Sequence, residues 1–244
     1  MVLKVNFAGI EFENPFLLSS APPTNSGEMI ARAFEAGWAG AVIKTVVPEG
    51  TRIENVTPRF WSLSFPGFED EPKKIYAFHN IELTSDRNIS FWLDEIKILR
   101  SEYPNKVVIA SIMADGNEKD SWQELARSVE KAGAQMIELN FSCPHGGMPG
   151  KCVGKAIGQD PDISKRITSW VRDVARIPVI VKMTPNVTDI TVIGNAVKLA
   201  GANGLTAINT VSSLAGVNIY TFEPLPTVAG YSAFSGYSGR GIKP

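Results

Sequence analysis

Cysteine is nearly absent: the 244-residue chain holds two, Cys143 and Cys152. Two thiols build no disulfide framework, and their spacing lacks the paired Cys and His positions of a zinc site, so no metal is expected. They also cannot ligate a four-cysteine iron-sulfur cluster. An excess of either charge is missing too, with 24 Lys+Arg against 25 Asp+Glu. That balance leaves no basic patch for nucleic acid or an anionic membrane surface, and neither partner is expected. No apolar run is long enough to span a bilayer, and Met1-Val2-Leu3-Lys4-Val5-Asn6 is not the start of a secretory leader, so the cytoplasm is the expected location. No G-x-G-x-x-G follows a strand, which removes the usual dinucleotide fingerprint.

What is present is 44% hydrophobic residues, enough for one large core and one domain over residues 1–244. The apolar runs alternate with helical periodicity. Asn14-Pro15-Phe16-Leu17-Leu18-Ser19-Ser20 reads as a first strand, and Asn25 with Glu28 as a capping box for a helix that Gly37 ends. Strands follow at residues 39–45, 107–113, 138–140, 179–184 and 204–210, with Asp160-Pro161 opening the helix before the fifth. Residues 46–79 and the stretch after Thr210 break this rhythm as long excursions. Ala36-Gly37-Trp38-Ala39, Ala132-Gly133-Ala134 and Ala200-Gly201-Ala202 each close a helix and precede a strand with a polar residue near its far end. One β-α unit is being repeated.

Alternating strands and helices imply a parallel sheet covered on both faces. Polar residues gather at most of the strand C-termini, where a barrel assembles its site, whereas a doubly wound sheet would concentrate them at one switch point. The fold class is therefore α/β, a TIM (β/α)8 barrel, with about six of its eight strands recognisable in this chain.

The stretch Glu138-Leu139-Asn140-Phe141-Ser142-Cys143-Pro144-His145-Gly146-Gly147 delivers a thiol and an amide to a loop that Gly146, Gly147 and Gly150 allow to bend. Asn80, Asn140 and Asn209 carry amides that both donate and accept, which suits an amide-containing ring. Lys44 and Lys182 end apolar strands and supply positive charge where a bound group becomes anionic. The same lysines could instead be Schiff-base nucleophiles of a lyase, or ordinary ion pairs at the barrel rim. Asn140 and Asn209 have a structural alternative as loop caps, and Cys143 as a small buried hydrophobe.

These motifs resemble the flavin-dependent dihydroorotate and dihydropyrimidine dehydrogenases over nearly the whole chain. The resemblance rests on Asn140-Phe141-Ser142-Cys143-Pro144-His145, Lys182-Met183-Thr184-Pro185-Asn186-Val187-Thr188-Asp189, Asn209-Thr210-Val211 and Ser235-Gly236-Tyr237-Ser238-Gly239. Asn80-Ile81-Glu82-Leu83-Thr84-Ser85 and Thr184-Pro185-Asn186 look more like the dihydropyrimidine branch, with the dihydroorotate branch as the alternative.

The resemblance implies FMN at the barrel mouth, touched by Ser19, Ser20, Ala21, Lys44, Asn80, Asn140 and Lys182 and bordered by Ser235, Gly236, Ser238 and Gly239. It implies that Asn80, Asn140, Ser142, Asn209 and Thr210 hold a pyrimidine, and that Cys143 exchanges the proton at C5 while hydride passes at C6. An ordinary thiol titrates near about 8.5 and is mostly protonated at neutrality, which suits an acid. The family's last two strands carry Gly-rich phosphate-binding loops that nothing here matches, so a C-terminally truncated member is expected. Iron-sulfur clusters and NAD(P)H are expected only through an electron-transfer partner subunit or a missing segment, and an oligomer is expected. An inactive fragment or scaffold is the reading without catalysis.

Overall fold

The structure, a computed structural model, describes residues 3–51, 53, 59–64, 75–143, 152–214, 216–225, 227–228, 231–232 and 235–238. The chain starts with a hairpin, β1 (Val5–Phe7) against β2 (Ile10–Phe12). Strand β3 (Leu17–Leu18) leads through a 3-10 turn at Pro22–Thr24 into α1 (Gly27–Glu35), then β4 (Gly40–Val42). An antiparallel pair follows, β5 (Phe60–Ser64) with β6 (Ile75–Asn80). The β-α rhythm resumes with α2 (Ile89–Glu102), β7 (Val107–Ile112), α3 (Lys119–Ala132) and β8 (Met136–Asn140). It continues through α4 (Lys155–Gly158), α5 (Pro161–Arg172), β9 (Val179–Lys182), α6 (Ile190–Leu199) and β10 (Gly204–Thr206). Six short strands close the order: β11 (Val211–Ser213), β12 (Gly216–Val217), β13 (Pro224–Leu225), β14 (Thr227–Val228), β15 (Tyr231–Ser232) and β16 (Ser235–Ser238).

The six strands expected from the apolar runs form one parallel sheet in the order β10-β9-β8-β7-β4-β3. With its helices it makes a curled half-barrel of the TIM type. Gly37, Gly133 and Gly201 all adopt φ between 90° and 107°. A left-handed residue there lets each helix stop and turn back into a strand, which is why the motif recurs.

Side chains alternate between the two faces of the sheet. Ala41, Val108, Ala110, Ile112, Ile137, Leu139, Val179 and Val181 face the helices, meeting Ile30, Trp92, Leu99, Trp122, Leu125, Val129 and Ile167. The inner face has an apolar floor of Val42, Ile109, Met136 and Ile180, closed from below by Phe12 and Phe7 of the hairpin. A methyl at Gly204 would collide with the Phe7 ring, so the floor is tightly packed. Above it the inner face turns polar, with Ser111 and Glu138 in one row and Asn140, Lys182 and Thr206 in the next. Each fully buried aliphatic side chain contributes about 1.5–3 kcal/mol, so the apolar seam holds the fold and leaves the polar layer free for function.

The helix starts correct one sequence expectation. Ser26, not Asn25, caps α1: its backbone is extended at φ −157° and its Oγ accepts from Met29 N at 3.3 Å. Asn25 is occupied in ending the 3-10 turn, its N–H donating to Pro22 O. Asp160 behaves as expected, accepting from Asp162 N and Ile163 N with Pro161 in the first helical position. The two excursions join each other. Strands β5, β6, β16 and β11 make a four-stranded antiparallel sheet that pairs residues more than 150 positions apart.

Candidate active site at the barrel mouth

A cavity of about 590 Å³ opens at the C-terminal ends of the barrel strands, a size within the usual 300–1,000 Å³ of small-molecule sites. The turn after β3 contributes Ser19, Ser20 and Ala21, and the residues after β4 contribute Lys44 and Thr45. Asn80 from β6 and the following Glu82 and Thr84 form one wall, with Phe60 of β5 beside them. Asn140 and Cys143 come from the end of β8 and Lys182 from β9, while Asn209 and Thr210 follow β10. Ten of the residues singled out by sequence thus meet around one space.

Two lysines are 6% exposed each, yet their surroundings differ. Lys44 Nζ pairs with Glu82 Oε2 at 2.5 Å. Lys182 has no carboxylate partner among the described residues. A buried cation is costly unless something balances it, so Lys182 marks where an anionic or electron-rich group fits.

Asn140 organises the thiol loop. Its Oδ1 accepts from Ser142 N at 3.1 Å, Ser142 Oγ at 3.0 Å and Cys143 N at 3.1 Å. Its Nδ2 donates to Thr45 Oγ1 at 2.9 Å, which leaves one amide hydrogen for a ligand. Thr45 is in turn bonded to Ser111 Oγ at 2.9 Å and reaches Ser20 Oγ at 3.4 Å. Ser142 is fully buried behind the cavity wall, where its hydroxyl also accepts from Asn209 Nδ2 at 2.9 Å. Thr210 Oγ1 donates to Asn209 Oδ1 at 3.1 Å, tying these two loop residues together.

Cys143 is 4% exposed and is held from the other side as well. Lys155 N donates to its carbonyl at 3.0 Å, and Gly154, at φ +55°, brings α4 so close that a methyl there would strike that carbonyl. Phe141 packs edge-on against Trp122 with centroids 5.8 Å apart, anchoring the turn to α3. Residues 144–151, including His145, Gly146, Gly147 and Gly150, lie outside the described residues.

Strand β16 borders the site through its backbone. Gly236 is in register with Asn80, accepts from its Nδ2 at 3.2 Å and has no room for a side chain beside Thr210. Ser235 and Ser238 lie on the same strand, and Gly239 is outside the described residues. Cys152 stands apart: it leans on Gly116, and partial burial, then the Asp115 and Asp160 carboxylates, push its thiol upward against the opposing pull of Arg166.

Thr45, Glu82, Ser111 and Glu138 belong to this polar assembly and were not singled out by sequence. The available signal was alternation: Glu82 lies two residues past Asn80, and Glu138 two residues before Asn140.

Residues 2–244 match the model of a family described as dihydroorotate dehydrogenase. The chain is 39% identical over 242 residues to a chloroplastic dihydropyrimidine dehydrogenase (NADP(+)) of Arabidopsis thaliana, covering 99% of this chain and 56% of that protein. It is 40% identical over 243 residues to the NAD-dependent dihydropyrimidine dehydrogenase subunit PreA of Escherichia coli, with the same coverage. To the catalytic subunit of dihydroorotate dehydrogenase B (NAD(+)) of Pyrococcus abyssi it is 35% identical over 246 residues, covering 100% of this chain and 72% of that protein. The chain thus spans little more than half the length of the first two relatives. Among the described residues no helix is long and apolar enough to cross a membrane.

Proposed function

As the chain belongs to the dihydroorotate dehydrogenase family, we propose that it is the FMN-binding catalytic part of a cytoplasmic enzyme that reduces the C5–C6 double bond of a pyrimidine base. The observation that carries the reading is one cavity lined by Asn140, by Cys143 held on its amide, and by a buried Lys182 with no carboxylate partner among the described residues. Its donor set suits a flavin. Lys182 places positive charge where a reduced ring system gathers electrons, and Ser19, Ser20, Lys44 and Asn80 line the remaining walls. FMN, when bound, supplies the two-electron transfer at C6.

The chain's own residues then handle binding and the proton. Asn140 and Asn209 line the cavity with one amide hydrogen each not used in these bonds, and can hold the carbonyl groups of a flat base. The Cys143 thiol gives the proton to C5 in the reductive direction and takes it back in the oxidative one. Its backbone is fixed by Asn140 Oδ1 and Lys155 N, so the main chain that carries the sulfur is set by the protein's own contacts.

Glu82 decides between the two branches of the family. By pairing with Lys44 it neutralises the cation and sets a carboxylate beside the site. A carboxylate-bearing substrate such as dihydroorotate would therefore find no net positive charge on that wall to offset its own. A neutral base needs none, which favours dihydropyrimidine chemistry.

The Escherichia coli relative is named as a subunit, and with two cysteines this chain cannot bind a four-cysteine cluster. Electrons from NAD(P)H are therefore proposed to arrive through iron-sulfur clusters on a partner subunit or a further segment. An apolar groove of about 460 Å³ between α6 and β10, with Leu205 43% exposed on that edge strand, supports pairing of further barrel strands there. The test is a comparison of uracil reduction with dihydroorotate oxidation by the full-length protein. Preference for uracil is expected, and activity on dihydroorotate alone would overturn the assignment.

A further inference from the structure

Glu138 is a buried charge that the proposed reaction does not use. It lies on the inner face of β8, in register with Ser111 of β7 and Ile180 of β9, and is 0% exposed. Its Oε2 accepts from Thr206 Oγ1 at 2.9 Å, although Thr206 sits on β10, two strands away. Thr206 is in register with Lys182, and Lys182 with Asn140. The Glu138 side chain therefore crosses the inner face of β9 at the level between Ile180 and Lys182. Its other oxygen, Oε1, is buried and meets no hydrogen-bond donor among the described residues.

An apolar residue would fill this position at lower cost, since a buried carboxylate lacking a full set of donors is unfavourable. Anchoring Thr206 alone does not require charge, because a glutamine would accept the same hydrogen bond. What does require charge is the neighbour above: Lys182, equally buried and without an acid of its own among the described residues.

Resting on the flavin reading given above, we propose that Glu138 is a positioning residue: its carboxylate lies beneath Lys182, beyond direct ion-pair distance, and offsets part of the ammonium charge through space. The pocket then stabilises the electron-rich, reduced state of its cofactor less than Lys182 alone would. That keeps the bound flavin a strong enough reductant for a pyrimidine double bond.

The test is spectroelectrochemical titration of the flavin in full-length holoenzyme, wild type against Glu138→Gln. Gln keeps the acceptor for Thr206 and removes the charge. The expected result is full flavin content with reduced flavin favoured by about tenfold more, a positive shift of about 30 mV for a two-electron couple. Glu138→Asp should keep the wild-type potential within a fraction of that shift. Should the Gln variant fail to fold, Glu138→Met, neutral and similar in length, must move the potential the same way. A neutral variant that binds flavin at the wild-type potential overturns the role of Glu138 and leaves the flavin reading intact. A wild-type protein that takes up no flavin overturns both.

Discussion

Replacing Asn140 by leucine removes the group on which the thiol loop is hung. In the native chain one carbonyl oxygen accepts from Ser142 N, Ser142 Oγ and Cys143 N. Ser142 is 0% and Cys143 4% exposed, so water cannot take over these donors without opening the loop. Leaving a buried donor unsatisfied costs about 1–3 kcal/mol. The Ser142 hydroxyl can rotate, which leaves two stranded backbone N–H groups and a net loss of about 2–5 kcal/mol after the gain in apolar volume. Asn140→Asp keeps all three acceptor contacts and loses only the donor to Thr45, so it should retain more than half of that stability. Urea unfolding of the three proteins gives the stability order, and turnover measures how far Cys143 has moved. A leucine variant as stable as wild type would refute the role assigned to the amide, and one with normal turnover would separate Cys143 placement from it.

The remaining expectations concern neighbouring groups. Glu82→Gln leaves Lys44 an uncompensated cation that attracts a carboxylate, so the ratio of dihydroorotate to uracil activity should rise about tenfold or more; an unchanged ratio would remove Glu82 from substrate choice. Gly154→Ala forces a side chain at φ +55° into the Cys143 carbonyl, and should cost about 1–3 kcal/mol with a parallel drop in kcat, read by denaturation and by turnover. Cys152 reacts as its thiolate, and its thiol is pushed upward by burial and by Asp115 and Asp160. Its alkylation in a Cys143→Ser background should therefore reach half-maximal rate above the ordinary thiol range, and Asp115→Asn should lower that midpoint.

The sequence made the barrel half visible because its signals are local. A glycine after each helix, an apolar run of strand length and a polar residue at its end are all properties of a few neighbouring positions, and Gly37, Gly133 and Gly201 carry them without ambiguity. The Ser26 cap was missed for the same reason in reverse: Asn25 and Ser26 both suit the position. Only the preceding 3-10 turn, which ties the Asn25 N–H to Pro22, settles which residue is extended.

Non-local pairing was not legible. Strand β16 meets β6 and brings Gly236 onto Asn80 across more than 150 residues, and no periodicity within either segment announces the other. The Lys44–Glu82 ion pair and the reach of Glu138 to Thr206 belong to the same class. Of the site, the residues at strand ends could be named in advance. The partners that saturate them could not, and those partners decide that Lys44 is neutralised by direct contact while Lys182 touches no carboxylate among the described residues.

The central claim, that this cavity holds a flavin against Lys182, is tested most directly by the absorbance spectrum of the purified full-length protein together with identification of the released cofactor. The account predicts an oxidised-flavin spectrum, FMN on release, and weakened retention of FMN in Lys182→Gln with the fold intact. A colourless protein that takes up no added FMN, or a Lys182→Gln variant that binds FMN as tightly as wild type, would contradict it.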